Sequence, residues 1–364
     1  MEEDIYINLK DSWNIYMKLS KIETLTAEKS SSPVLFIHGL ASTHKSFDGI
    51  SSILQEHGII TACIDLKGHG NSDKINENNG IGNETEEFTI ASLADDISII
   101  LDILRNHPYY EKYTFNPWLQ PIILIGHSLG GNVAIELASK YPALIKGVVC
   151  IDGGYIHLKK SFPQYEDCER ELHPPEFEGL RWHTLEKAIR EQWCLDWPES
   201  GIMAMINNFK KVQVQLNLDD YTTKFPKSDS DSDSDSKQIL DAQLGIDLNK
   251  SNIPSPKLKV EYAEPKLLKR RHLLLLKNLW EYNPVQRYSL IQCPVLLLPT
   301  GDGGKAPFTS NKKNDVKDAT EILKKSKVIW FEKSSHDLPS QFPTETANTI
   351  LNEIKNEYFN MSQG

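Results

Sequence analysis

The chain has 364 residues, which at roughly 150 residues per domain means two domains, or one large α/β domain carrying an insertion. Apolar residues make up 39%, and the 20 glycines bring the total close to the globular share of roughly 45–50%, so wholesale disorder is excluded. Forty Lys and Arg against fifty Asp and Glu leave a formal charge of −10, which removes the electrostatic source of a sequence-independent hold on nucleic acid.

The N-terminal stretch MEEDIYINLK is acidic where a secretory signal is basic and then apolar, and no run approaches the ~18 apolar residues of a membrane span. No stable membrane insertion is expected. The five cysteines at 63, 150, 168, 194 and 293 are odd in number and widely scattered, the pattern of reduced thiols and of a cytoplasmic protein.

In chain order, residues 5–19 show broken alternation around a polar centre and predict two short strands joined by a turn, forming an antiparallel sheet edge. Short apolar runs follow at 34–39, 60–66, 121–128 and 147–154. They carry no charge until their last residues, as strands buried on both faces do. Between them, Phe47 to Glu56, Ile90 to Arg105 and Asn132 to Tyr141 space apolar residues at three and four, and Pro142 closes the third helix. Strand alternating with helix predicts a parallel sheet with right-handed crossovers. The rhythm resumes with a strand at 293–302, a helix at 315–325, a strand at 327–332 and a helix at 343–357.

Residues 155–285 break that rhythm. They hold Trp182, Trp193, Trp197 and Trp280 and helical segments at 183–195 and 265–282, and they predict a helical cap inserted into a core of 1–154 and 286–364. Within the cap, 228–236 reads SDSDSDSDS, which has nothing apolar to bury and predicts a solvated loop. It is no calcium loop: counted from Asp229, the sixth residue is Ser234 and the twelfth Leu240, where glycine and glutamate are needed.

The chemistry centres on Gly126-His127-Ser128-Leu129-Gly130, a G-x-S-x-G that follows an apolar strand and opens a helix. That context puts the serine on a sharp turn at the sheet's rim, over a helix N-terminus that favours developing negative charge. A serine hydroxyl needs a histidine to take its proton and a carboxylate to orient that histidine. His336, in the loop between the last strand and the last helix, is the best placed of the eleven histidines; His38, His69 and His127 adjoin glycines with turn roles of their own. Two aspartates end strands and compete for the third role: Asp302 in PTGDGG and Asp152 in CIDGG. Asp302, which gives the chain order Ser, Asp, His, is preferred because only one helix and one strand separate it from His336. Two backbone N–H groups, of Leu129 after the nucleophile and of Leu40 in the His38-Gly39-Leu40 loop, are placed to form an oxyanion hole.

The His38-Gly39 loop, the turn Asp65-Leu66-Lys67-Gly68-His69-Gly70-Asn71-Ser72, the elbow at Ser128 and the late His336 together resemble an α/β-hydrolase fold enzyme of the serine-nucleophile, esterase- and lipase-like branch. The resemblance covers about 1–152 and 286–364. It implies an α/β fold with a mostly parallel eight-stranded sheet flanked by helices and an inserted helical lid. It also implies a carboxylesterase-like serine hydrolase that cleaves an ester of a small, largely apolar substrate through an acyl-enzyme. A serine at the elbow sets the chain apart from the haloalkane dehalogenases and epoxide hydrolases of the fold, which place a carboxylate there.

Trp182, Trp193, Trp197 and Trp280 are candidates to line the substrate pocket, the first three foremost, their alternative being the cap's own core. A C–C bond hydrolase, lactonase, thioesterase or acyltransferase uses the same triad, and a non-catalytic ligand-binding member of the fold is the rival outside enzymes. No cofactor is expected: Gly68-His69-Gly70 lacks the rest of a dinucleotide fingerprint, and Cys168, His173, His183 and Cys194 lack the spacing of a zinc module. The chemistry requires no metal.

Overall fold

The computed structural model describes residues 2–9, 13–20, 32–74, 84–110, 115–174, 180–216, 258–301 and 309–360. The chain divides into two compact units. The first comprises Met1–Pro175, Cys194–Asn208 and Lys266–Gly364, and the second Glu176–Trp193 and Phe209–Pro265.

The first unit is built on the apolar runs. Strands β1 (Glu2–Leu9), β2 (Trp13–Ser20), β3 (Val34–Ile37), β4 (Thr61–Ile64), a two-residue β5 (Asp73–Lys74), β6 (Ile122–His127) and β7 (Ile145–Ile151) form one sheet. It is completed by β10 (Val295–Leu298) and β11 (Ser326–Val328), after β8 and β9 of the second unit described below. Its order is β1-β2-β4-β3-β6-β7-β10-β11, with β5 paired to β2 at the side. β1 and β2 pair antiparallel, as do β2 and β4, while every pair from β4 through β11 is parallel. This is the mostly parallel eight-strand sheet expected.

Every central strand is buried on both faces, and the period-two alternation divides its residues between two cores. Leu35, Ile37, Ala62, Ile64, Leu124, Val148 and Leu297 face one cluster, with α2 (Ile90–Arg105) and α3 (Leu129–Lys140) packed on it. Phe36, Cys63, Ile125, Val149, Leu296 and Leu298 face the other, covered by α1 (Asp48–Glu56) and α6 (Pro343–Lys355). Helix α2 starts where Thr89 and Ser92 form a capping box. The first unit also contains α4 (Lys269–Glu281) and α5 (Thr309–Ile322), the latter six residues earlier than the sequence pattern placed it.

The second unit contains a feature absent from the sequence-based expectation of helices. β8 (Phe209–Leu216) and β9 (Leu258–Pro265) form an antiparallel pair in which Val212 faces Tyr262 and Val214 faces Val260. Its helix, Trp182–Ala188, continues into a π-helical turn at Ile189–Trp193, and Ala263 donates its N–H to the Leu180 carbonyl. The alternation Val212-Gln-Val214-Gln-Leu216 carried the strand signal, hidden by the preceding lysines. The segments 155–175, 194–208 and 266–285, assigned to the cap from sequence, belong to the first unit. The Asp-Ser tract at 228–236 lies outside the described residues. Among the described residues, no helix is long and apolar enough to cross a membrane.

Candidate active site

Ser128 stands between the end of β6 and the first residue of α3, with φ 52° and ψ −119°. A side chain is rarely held in that region, and the surrounding packing must enforce it. The two glycines of the motif and Gly153 after β7 show how. A Cβ on Gly126 would overlap the Gly130 carbonyl, one on Gly130 would overlap the Ile37 carbonyl, and one on Gly153 would overlap the Ser128 carbonyl. Strand, turn and helix therefore close on one another only because these positions are bare. The Ser128 N–H donates to the Ile151 carbonyl across the sheet at 3.0 Å, fixing the elbow to β7.

His336 reaches this turn from the loop after β11. Its Nε2 lies 3.0 Å from Ser128 Oγ, and its Nδ1–H donates to Asp152 Oδ2 at 2.7 Å. The bond to the carboxylate selects the tautomer whose Nε2 is free to accept the serine proton. Asp152, fully buried, follows β7 at φ 39° and accepts from the Tyr155 hydroxyl (2.7 Å), the Thr300 N–H (3.1 Å) and Lys312 Nζ (3.0 Å). The carboxylate at the far nitrogen of His336 is thus Asp152, ranked second from the sequence. Asp302, ranked first, lies outside the described residues.

Electrostatics follow from these contacts. Burial pushes the Asp152 carboxyl up, but the bond and charge of His336, the ammonium of Lys312 and the Tyr155 hydroxyl outweigh it and hold Asp152 well below the carboxylate range. Burial likewise opposes the imidazolium of His336, yet the bond to Asp152 and its negative charge prevail, and His336 lies above its ordinary value. The neighbouring His127 is buried beside it, ring centres 4.9 Å apart, and donates Nε2–H to the His336 carbonyl at 2.8 Å. Burial and the charge of His336 lower it to about 4, so it stays neutral and serves to hold the His336 loop.

The loop after β3 is held by the other motifs. His38 donates Nδ1–H to the Gly39 carbonyl (2.8 Å) and accepts the Leu66 N–H at Nε2 (3.0 Å), so one ring ties the two loops together. Asp65 accepts from the His44 N–H (2.6 Å) and the Asn71 N–H (2.8 Å), and a Cβ on Gly70 would overlap its carboxylate. The Asp65–Ser72 motif is thereby a loop-building device. Leu40 lies next to Gly39 and lines the cavity above Ser128; Leu129 is the first residue of α3, where helical N–H groups have no acceptor within the helix.

That cavity has a volume of about 200 Å³. Ser128, Asn132, Asp152 and His336 form its polar end, and Leu40, Ile156, Leu158, Leu172, Leu276 and Leu279 much of the remainder, with His272 among them. Of the tryptophans expected there, Trp197 packs near Gly201 and Trp280 donates to the Phe162 carbonyl at 2.7 Å; neither is among the described residues lining the cavity. Trp182 and Trp193 belong to the second unit, where Lys211 Nζ sits 5.1 Å above the Trp182 ring and Trp193 is largely exposed. The lining residues Leu276, Leu279 and His272 were missed because their leucine-rich helix reads as ordinary core. Lys312 was missed because Lys312-Lys313 reads as a solvated surface pair.

A family model described as serine aminopeptidase, S33, matches residues 28–197. Protein phosphatase methylesterase 1 of Neurospora crassa is 27% identical over 196 residues, covering 49% of this chain and 41% of that protein. A 2-(acetamidomethylene)succinate hydrolase of Mesorhizobium japonicum is 33% identical over 136 residues, 37% of this chain and 40% of that protein. The chain therefore spans less than half the length of these curated relatives. The crystal structure of an E-2-(acetamidomethylene)succinate hydrolase superimposes with a TM-score of 0.61 at 17% identity, over 98% of this chain and 100% of that one.

Proposed function

We propose, from the premise that this chain belongs to the α/β-hydrolase fold superfamily, that it is a serine hydrolase cleaving carboxylic esters through an acyl-enzyme. The observation that carries the reading is the continuous relay Ser128 Oγ, His336 Nε2, His336 Nδ1, Asp152 Oδ2, with links of 3.0 and 2.7 Å. In the first step His336 takes the Ser128 proton as Oγ attacks the ester carbonyl, and Asp152 stabilises the imidazolium so formed. The backbone N–H groups of Leu40 and Leu129 receive the oxyanion. His336 then returns its proton to the leaving alcohol, and water activated by the same imidazole frees the acid.

The cavity supports a short acyl or aryl group. Its volume of about 200 Å³ is a little above the ~150 Å³ apolar void that accepts one benzene, and its aliphatic lining offers no compensation for buried charge. The names of relatives, a methylesterase and a succinate-derivative hydrolase, agree with carbonyl hydrolysis in general. A fluorophosphonate is expected to label Ser128, and Ser128→Ala to abolish both labelling and hydrolysis of p-nitrophenyl butyrate. An unlabelled wild type, or equal rates for the two proteins, overturns the reading in favour of a ligand-binding member of the fold.

A further inference from the structure

A lysine buried against the proposed triad acid is not required by triad chemistry, which needs only a carboxylate to orient the imidazole. Lys312, in α5, is 2% exposed. Its Nζ lies 2.9 Å from Asp152 Oδ1 and 3.0 Å from Oδ2, and it also donates to the Thr300 carbonyl (3.1 Å) and Thr300 Oγ1 (3.0 Å). The ammonium thus ties the carboxylate after β7 to Thr300, two residues beyond the end of β10. Burying a cation is costly unless its partners are well placed, and here a carboxylate, a carbonyl and a hydroxyl all receive it.

We propose that Lys312 is a positioning residue of the Asp152–His336 pair, holding the carboxylate in its strained place and offsetting part of the negative charge that reaches the imidazole. The inference rests on the serine-hydrolase reading. Its first consequence is geometric. Asp152 sits at φ 39°, and without the clamp to Thr300 the carboxylate has more freedom to leave His336. Its second is electrostatic. A buried carboxylate alone favours the imidazolium, so that His336 would hold its proton to higher pH and be available as a base over a narrower range. The facing ammonium opposes that and keeps the imidazole deprotonated at lower pH.

Among the described residues, the other groups named as acting on His336 or its partner carboxylate do not supply this effect. Asp337, its chain neighbour, adds negative charge and acts in the direction of Asp152. His127, at 4.9 Å, is held neutral, and His272, lining the same cavity, is lowered to about 4 by burial. The Tyr155 hydroxyl binds Asp152 as a neutral donor, and Asp315, one turn along α5, is paired with Lys160 at 2.7 Å.

The test is the pH profile of p-nitrophenyl butyrate hydrolysis by wild type, Lys312→Met, Lys312→Gln and Lys312→Arg. Both uncharged variants are expected to move the acid limb of kcat/KM upward by about one pH unit and to lower kcat with little change in KM. Lys312→Arg, which keeps the charge, is expected to hold the limb near wild type. Lys312→Gln keeps hydrogen-bonding capacity and carries the test should Lys312→Met not fold. An acid limb that stays in place or moves down, or a loss confined to thermal stability, overturns the proposal. If such a variant still takes a fluorophosphonate at Ser128, the hydrolase reading stands and only the role of Lys312 falls; an unlabelled wild type removes both.

Discussion

At the residue scale the site depends on a few positions with no latitude. Ser128 and Asp152 both hold a positive φ, and each follows the last residue of a central strand, where the backbone must turn sharply to bring its side chain over the rim. Asp152 Oδ2 accepts the hydrogen bond of His336 Nδ1 at 2.7 Å. Asp152→Asn is therefore expected to lower kcat by about 10⁴-fold, because the amide favours the wrong tautomer of His336; an equal loss in Asp302→Asn with little loss in Asp152→Asn would move the role to Asp302. Comparison of the two variants in steady-state hydrolysis decides between the carboxylates. The elbow at Ser128 and the loop that carries His336 were legible in the sequence because both are local features. The choice between two strand-terminal aspartates was not, since it turns on which one reaches an imidazole 184 residues away from Asp152 along the chain.

Elements decide what the cavity admits. Helix α4 contributes Leu276, almost fully buried, and Leu279 to its wall, one turn beyond His272. Leu276→Ala is expected to shift the preferred p-nitrophenyl ester toward longer acyl chains and to cost about 3 kcal/mol of stability, read from the acyl-length profile and chemical denaturation. An unchanged profile would place the acyl group elsewhere. The leucine periodicity of 267–280 announced a buried helix, but periodicity cannot say what lies opposite the buried face. The same limit explains the tryptophans: Trp280 is spent on a hydrogen bond to Phe162 and on Lys159, whose Nζ lies 4.2 Å from its ring centre. The strand pair β8–β9 escaped notice because its alternation begins after Lys210 and Lys211 and its two halves lie far apart in sequence.

For the whole molecule, pH acts through groups buried in the first unit. Burial lowers His69 to about 3 and His127 and His272 to about 4, and lowers His38 as well. A histidine whose folded pKa is depressed contributes stability that is present above its unfolded value of about 6.5 and is lost as pH falls. Asp65 and Asp152, also depressed, add the same sign at lower pH, whereas His336 and Asp96, both raised, oppose it. The melting temperature is therefore expected to drop by several degrees between pH 7.5 and pH 5, as scanning calorimetry would detect. A flat or rising profile would mean that those rings are not buried neutral. By itself the sequence determined the strand and helix rhythm of the core, its parallel sheet, the serine elbow and the late loop that carries His336, because each is written in local periodicity or in a contiguous motif. Only the tertiary structure decided which carboxylate meets that histidine, that a lysine lies buried behind it, and which leucines wall the cavity, because such contacts join residues distant in the chain and depend on packing.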